Sequence, residues 1–224
     1  MYVGRNKPPP DHQGLHIVGH PFLADHMPYY IRVLSISDSI VPANVLAGAV
    51  PNATLNVEAG TDDQWDELLL AHGNGREIAI IERNPVTEGS MAAEELEEFV
   101  DELDEIKPAS GAEWLRGYLP RVKAIYAFQI LSGSKDVDGW DLIGAVKAKL
   151  WNAVGGIFQA DGEGFSNEDG YQIVWQFSDR VSGPWWMGLL RDSGWVHFQM
   201  DLGNIEQREA FLRGNLPDGV TLAK

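Results

Sequence analysis

Short segments in which apolar and polar residues alternate, or in which β-branched residues dominate, recur along the chain and predict strands. The predicted strands cover residues 31–36, 53–58, 77–82, 124–131, 157–160, 171–177, 185–190, 195–202 and 220–222. Two pairs of neighbouring segments are joined by polar connections that contain glycine, a pattern that favours hairpins. We therefore expect segment 157–160 to pair with 171–177, and segment 185–190 to pair with 195–202.

Other segments repeat their apolar residues with the helical period of about 3.6 residues. They predict helices over residues 61–72, 91–106, 110–120, 137–154 and 205–213. The first of these helices carries its apolar stripe at Trp65, Leu68, Leu69 and His72, and the glycines at 73 and 75 can end it. Ser110 and Glu113 have the spacing of a capping box, which predicts the start of the third helix.

The order of these elements favours an α+β fold with a mixed or mainly antiparallel sheet and with helices on one face. The tetrapeptides DQWD at 63–66 and DGWD at 138–141 each open a predicted helix that follows a strand. This similarity favours two related halves with a ferredoxin-like plan, and a chance match is the alternative. We expect an extended N-terminal arm over 1–30, a first α/β half over 31–107 and a second α+β half over 108–224, together able to form one compact domain.

The charge balance narrows the classes of partner. The chain of 224 residues has 33 acidic and 17 basic side chains, a formal net charge of −16, and no run of Lys or Arg, so we expect no nucleic-acid partner. We also expect no membrane contact and a cytoplasmic location, because no apolar segment is long enough for a bilayer or a secretory signal. The absence of cysteine excludes disulfides and thiol nucleophiles.

The acidic residues are concentrated in one part of the chain. Between positions 58 and 105 there are sixteen acids and two bases, and the helix predicted over 91–106 has no Lys or Arg. A solvated surface is one interpretation of this pattern. The other is a binding face for a basic partner. We assign this face to Glu94, Glu97, Glu98, Asp101, Glu102 and Glu105, and add Trp185 and Trp186 as aromatic candidates for partner contact.

Two further groups of residues could carry chemistry. Asp161 and Glu163 lie in a glycine-rich connection, where two carboxylates could act as an acid/base pair or bind a cation. Four histidines lie near the start of the chain, and neutral imidazole is a good zinc ligand. They are His12, His16, His20 and His26. A His-x3-His metal site requires a helix, and Gly14, Gly19 and Pro21 argue against a helix here, so we assign no metal site and no cofactor.

These observations favour a cytoplasmic interaction protein that uses an acidic face, of the inhibitor or immunity type. One alternative is a small-molecule or metal-assisted hydrolase that uses Asp161, Glu163 and the N-terminal histidines. Another is a ligand sensor or scaffold with a tryptophan-rich sheet. Whether the chain is an enzyme stays open, because it has no nucleophile elbow, no phosphate-binding loop and no dinucleotide turn.

Overall fold

The computed structural model describes residues 28–223. Seven strands form one antiparallel sheet in the order β2-β3-β4-β5-β1-β6-β7. Their bounds are β1 Tyr29–Ser35, β2 Ala53–Gly60, β3 Trp65–His72, β4 Glu77–Pro85, β5 Ala124–Ile130, β6 Ile157–Ala160 and β7 Gly164–Phe165. A second antiparallel sheet has the order β10-β9-β8. It consists of β8 Pro184–Arg191, β9 Gly194–Asp201 and β10 Thr221–Leu222.

Five α-helices connect and cover these strands within the described residues. They are α1 Ala43–Ala47, α2 Met91–Glu102, α3 Ala109–Tyr118, α4 Val137–Val154 and α5 Ile205–Leu212. Short 3-10 turns follow α3 at Leu119–Arg121 and precede α4 at Ser132–Lys135. No helix in this part of the chain is long and apolar enough to cross a membrane.

Helices pack on both faces of the seven-stranded sheet. Because side chains alternate along a strand, Tyr126 and Phe128 of β5 contact the core under α1 and α4, whereas Ile125 contacts the core under α2 and α3. Leu34 of β1 also lies in the second core, and Val33 beside it lies in the first. The prediction of helices on one face is therefore wrong, since this central strand is apolar on both sides.

The second sheet has a core of its own. Phe198 and Met200 of β9 pack with Phe211 of α5, whereas Trp195, on the opposite side of β9, packs against the core under α3. Gln172 joins the two sheets, because it forms isolated bridges to Ser166 after β7 and to Met187 of β8. The small sheet is thereby held beside the edge of the large one.

Much of the predicted architecture is confirmed. The fold is α+β, its sheets are antiparallel, and α4 has the predicted bounds 137–154. The hairpin of 185–190 with 195–202 is confirmed as β8 and β9, which are joined by two residues between Arg191 and Gly194. The helices over 91–106 and 205–213 are confirmed as α2 and α5, each slightly shorter than predicted.

The helix predicted over 61–72 is wrong, because Trp65–His72 form β3 between β2 and β4. Trp65, Leu68 and Leu70 face the first core, while Glu67 lies on the other face of the sheet. The same apolar residues fit either period in a stretch this short, and pairing along both edges favours the strand. Trp65 thus lies in a strand, where its Nε1 donates to the carbonyl of Val41 at 2.8 Å.

The tetrapeptides DQWD and DGWD therefore do not open equivalent helices, since Trp65 lies in β3 and Trp140 lies in α4. Ferredoxin-like halves are not confirmed. The division at 107/108 stays a prediction, and β1 pairs with both β5 and β6, which follow that position in the sequence. Of the predicted arm over 1–30, only residues 28–30 are among those described, and two of these belong to β1.

Two local predictions are also wrong. Segment 157–160 pairs with β1 and with β7, not with 171–177, because the chain turns back already at Gly162 and Gly164, both of which have positive φ. Ser110 does not cap α3. The cap residue is Pro108, which makes no side-chain hydrogen bond, and Ser110 lies inside the first turn.

Candidate functional site

The helix α2 presents a row of carboxylates to solvent. It begins after Ser90, whose Oγ accepts a hydrogen bond from the backbone N–H of Ala93 at 3.2 Å. Ala92 and Leu96 bury its apolar side. The predicted partner-binding acids all lie on the outer side or just beyond the helix end, and all are exposed. We call this surface the acidic face: Glu94, Glu97, Glu98, Asp101, Glu102 and Glu105.

The carboxylates of the acidic face have no basic partner within 4.0 Å among the described residues. Two other acids of this region do have one. Glu95 accepts from Arg32 Nε at 2.6 Å, and Asp104 accepts from Arg116 Nη2 at 2.7 Å. The sequence pattern alone does not distinguish the six from these two, because all eight are acids on one helix and its end.

An exposed apolar side chain lies at the start of the acidic face. Met91, the first residue of α2, is 79% exposed, the largest value among the large apolar side chains of residues 28–223. Because residues three, four and seven positions apart share one side of a helix, Met91 lies on the same side as Glu94 and Glu98. The acidic face thus has the flexible apolar side chain of Met91 beside its negative charges.

Trp185 and Trp186 are half-buried, not fully exposed. The ring of Trp185 packs edge-on against Phe177 at a centroid distance of 5.4 Å, within the core of the small sheet. The ring of Trp186 lies on the other face of β8 and contacts Tyr171 edge-on at 6.0 Å. This packing buries part of each ring, and the role of the two tryptophans in partner contact stays a prediction.

Asp161 belongs to a cluster centred on Arg32. The guanidinium of Arg32 donates to Asp161 Oδ1 at 2.6 Å, to Gln159 Oε1 at 2.7 Å and to Glu95. The other carboxylate oxygen of Asp161 accepts from the backbone N–H of Tyr30 at 2.9 Å. Both carboxylate oxygens of Asp161 are therefore bonded to residues of β1. The sequence signal for this cluster is the charged residue at position 32, inside an otherwise apolar strand.

Glu163 has different partners on the opposite side of β1. It accepts a hydrogen bond from the hydroxyl of Tyr29 at 2.9 Å. Burial raises the pKa of Glu163, although the Tyr29 hydrogen bond and the Lys147 ammonium both act to lower it. Burial also lowers the pKa of Lys147, whose Nζ lies 4.8 Å from the centroid of the Phe158 ring.

Burial thus shifts the pKa values of Glu163 and Lys147 toward each other, and the acid/base role of Asp161 and Glu163 stays a prediction. Asp161 and Glu163 share no hydrogen-bond partner in the described part of the chain. Among residues 28–223, no three His, Asp or Glu side chains are placed to hold a metal ion. The histidines at 12, 16, 20 and 26 lie outside the described residues.

Comparison with known proteins adds no functional information: no family model, no curated protein and no solved structure matches this chain.

Proposed function

We propose that this chain is an interaction protein that binds a basic protein partner through its acidic face. One observation carries the proposal. The six carboxylates of the acidic face have no basic partner among the described residues, whereas Glu95 and Asp104 nearby each form an ion pair. An arginine or lysine cluster on a partner would supply the positive charges that these six carboxylates lack among the described residues.

The arrangement carries a stability cost that binding would offset. Glu94 and Glu98, Glu97 and Asp101, and Glu98 and Glu102 are like-charge neighbours four residues apart within α2, and each such pair costs about 0.2–0.5 kcal/mol. The last turn of α2 contains no basic residue that would interact favourably with the helix dipole. Natural proteins often retain such costs where function requires them.

The chemistry of the surface indicates what kind of partner it fits. Long-range attraction from the carboxylates would accelerate association, and the exposed side chain of Met91 would supply apolar contact once the complex has formed. An inhibitor or immunity-type protein, which must capture a basic target rapidly, would use a surface of this kind. The proposed partner is therefore a basic protein with an apolar residue near its cluster of positive charge.

The test compares two triple variants that change the net charge equally. The first replaces three acids of the face with their amides, Glu97→Gln, Asp101→Asn and Glu102→Gln. The control replaces three exposed acids elsewhere that have no ion pair in the described chain, Asp141→Asn, Glu206→Gln and Asp218→Asn. Partners captured by the wild type at low salt are identified, and their association rates are then measured with each purified variant.

We expect the first triple variant to associate with the partner more slowly and with a weaker salt dependence, and the control to associate like the wild type. We also expect the first variant to be more stable to unfolding by about 0.4–1 kcal/mol, because it relieves two like-charge pairs. If the face variant retains every partner at the wild-type rate, the acidic face is only a solvated surface and the proposal fails.

A further inference from the structure

A cleft of about 870 Å³ opens where three distant segments of the chain meet. The start of α3 forms one wall with Lys107 and Ser110, and the turn between β8 and β9 forms the second wall with Arg191 and Asp192. The third wall is the end of α5, which contributes Arg213. None of these residues belongs to the acidic face.

The charge of the cleft is opposite to that of the protein. Lys107, Arg191 and Arg213 face a single acid, Asp192, so the lining has a formal charge of +2 in a chain of −16. Within residues 28–223, neither Lys107 nor Arg191 has a carboxylate within 4.0 Å. Among the same residues, Arg213 pairs only with Glu209, at 3.2 Å across one turn of α5, where both side chains are more than half exposed. The positive charge of the cleft is thus left largely uncompensated.

A buried hydroxyl group beside these cations also has no partner. Ser110 Oγ has no solvent-accessible surface of note and makes no hydrogen bond to a described residue. Buried polar atoms are nearly always paired, so a water or a ligand oxygen would supply the partner that Ser110 Oγ lacks among the described residues. Ser110 lies in the first turn of α3, which contains no acidic residue and has no side-chain cap. The helix dipole adds positive potential there.

The walls of the cleft are held in place by packing outside it. Trp114 of α3 contacts Trp195 of β9 edge-on, with ring centroids 5.4 Å apart, which fixes the β8–β9 hairpin against α3. The carbonyl of Lys107 accepts from the backbone N–H of Trp175 at 2.8 Å. A ligand would therefore meet a preformed frame and order mainly the exposed ends of Arg191, Arg213 and Lys107.

From these observations we propose that the cleft binds a phosphate monoester. Two guanidinium groups and an ammonium group match a dianion with three terminal oxygens, because guanidinium groups donate two parallel hydrogen bonds to such a group. The Ser110 hydroxyl would donate a further hydrogen bond once its side chain turns toward the cleft, because its Oγ is not accessible in the unbound protein. A single carboxylate would leave part of this donor set unused. The ester is either a small phosphorylated metabolite or a phosphorylated side chain of another protein, since both present the same group.

The experiment titrates inorganic phosphate into the intact protein and follows its backbone amide signals by NMR, with chloride at equal ionic strength as the reference. We expect saturable shifts confined to the start of α3, the β8–β9 turn and the end of α5. Arg191→Gln should weaken phosphate binding about tenfold and Ser110→Ala about threefold. Arg180→Gln is the matched control, because Arg180 is also exposed, has no ion pair within residues 28–223 and lies outside the cleft. The phosphate affinity of this variant should equal that of the wild type.

The source of the phosphate is then tested with two probes, glycerol phosphate and a short peptide that carries one phosphoserine between uncharged residues. Tighter binding of the first identifies a metabolite, and tighter binding of the second identifies a protein side chain. Shifts that do not saturate, or that Arg180→Gln reduces as much as Arg191→Gln, would overturn the proposal. Unchanged melting temperatures of the three variants ensure that lost binding does not reflect unfolding.

Discussion

Arg32 brings three parts of the molecule together although it is a charged residue inside a strand. Its side chain is only 12% exposed, and it forms ion pairs with Glu95 of α2 and Asp161 after β6. The guanidinium carbon lies 5.0 Å from the centroid of the Tyr30 ring and 5.8 Å from that of Phe99. Because its donors are used by several acceptors, the removal of Arg32 would leave more than one group unpaired.

We expect Arg32→Met to lower the free energy of unfolding by about 2–3 kcal/mol, less than for a fully buried pair because both carboxylates are partly exposed. Arg76→Met is the control. Arg76 pairs with a single acid, Asp136, at a more exposed site, and its loss should cost less than about 1 kcal/mol. Urea unfolding of both variants provides the comparison. Equal losses would show that the Arg32 cluster contributes no more than a surface pair.

A double-mutant cycle separates the pairing of Arg32 from its packing. Glu95→Gln should be clearly destabilising in the wild type and nearly neutral in the Arg32→Met background, because its partner is then already lost. Additive effects of the two substitutions would indicate that Glu95 and Arg32 do not interact in solution.

Among the elements, the sequence pattern predicts most helices and strands but fails where a segment is short and apolar throughout. The segment containing Trp65 and Leu68–Leu70 fits both a helix and a strand, and only its two neighbours, β2 and β4, make it a strand. The polar, glycine-containing stretches on either side are the available signal, since they are also typical of hairpin turns. By contrast, the eighteen residues of α4 are long enough for the helical period to be unambiguous.

The helix α3 gives a test of packing that depends on two glycines of one element. A Cβ added to Gly111 would lie 2.4 Å from the carbonyl oxygen of Ile173, whereas a Cβ added to Gly117 would have no heavy atom of residues 28–223 within 4 Å. We expect Gly111→Ala to lower stability by about 1–3 kcal/mol, because backbone must move to admit the methyl group. Gly117→Ala should raise stability by up to about 1 kcal/mol through helix propensity.

Thermal and urea unfolding of these two alanine variants measure the difference directly. If both substitutions stabilise the protein, α3 does not approach the 171–177 segment as closely as described. If both destabilise it, Gly117 is also packed against neighbouring atoms. The acidic face, which depends on α2, should be unaffected by either substitution.

At the scale of the whole molecule, the sequence reveals a charged surface only where its residues are also neighbours in the chain. The acidic face is visible in the sequence because α2 is a single continuous segment. Lys107, Arg191 and Arg213 are not, because they meet only when α3, the β8–β9 hairpin and α5 are assembled. The partners of Arg32 are similarly far apart in sequence, at positions 95, 159 and 161. A site built from several elements can therefore be recognised only once the fold is known.

The contact between the two sheets contains a histidine, His197, whose neutral form is favoured by its surroundings. Asn167 Oδ1 accepts from the backbone N–H groups of Asp169 and Tyr171, so its Nδ2 must be the atom that donates to His197 Nε2 at 3.0 Å. His197 Nε2 is then an acceptor, which requires a neutral ring. Tyr171 stacks on that ring at 3.7 Å, and Asp169 Oδ2 lies 3.8 Å from Nε2.

Protonation of His197 should therefore loosen the docking of the small sheet. Burial lowers the pKa of His197 below its usual value of about 6.5, and the opposing effect of the Asp169 carboxylate is smaller. The unfolded chain takes up the proton first as the pH falls. The stabilising contribution is complete above about pH 6.5 and is lost as the pH falls below that value toward the lowered pKa.

We expect wild-type protein to lose about 0.5–1.5 kcal/mol more stability than His197→Gln between about pH 7.5 and pH 5, because glutamine can accept the Asn167 hydrogen bond without titrating. Other groups titrate in both proteins, so the difference isolates His197. Asp169→Asn should enlarge the loss, since it removes the carboxylate that favours the protonated ring. Hydrogen exchange at the 166–172 amides should rise at low pH in the wild type and not in His197→Gln. Identical pH profiles for wild type and His197→Gln would show that this histidine does not couple protonation to the docking of the two sheets.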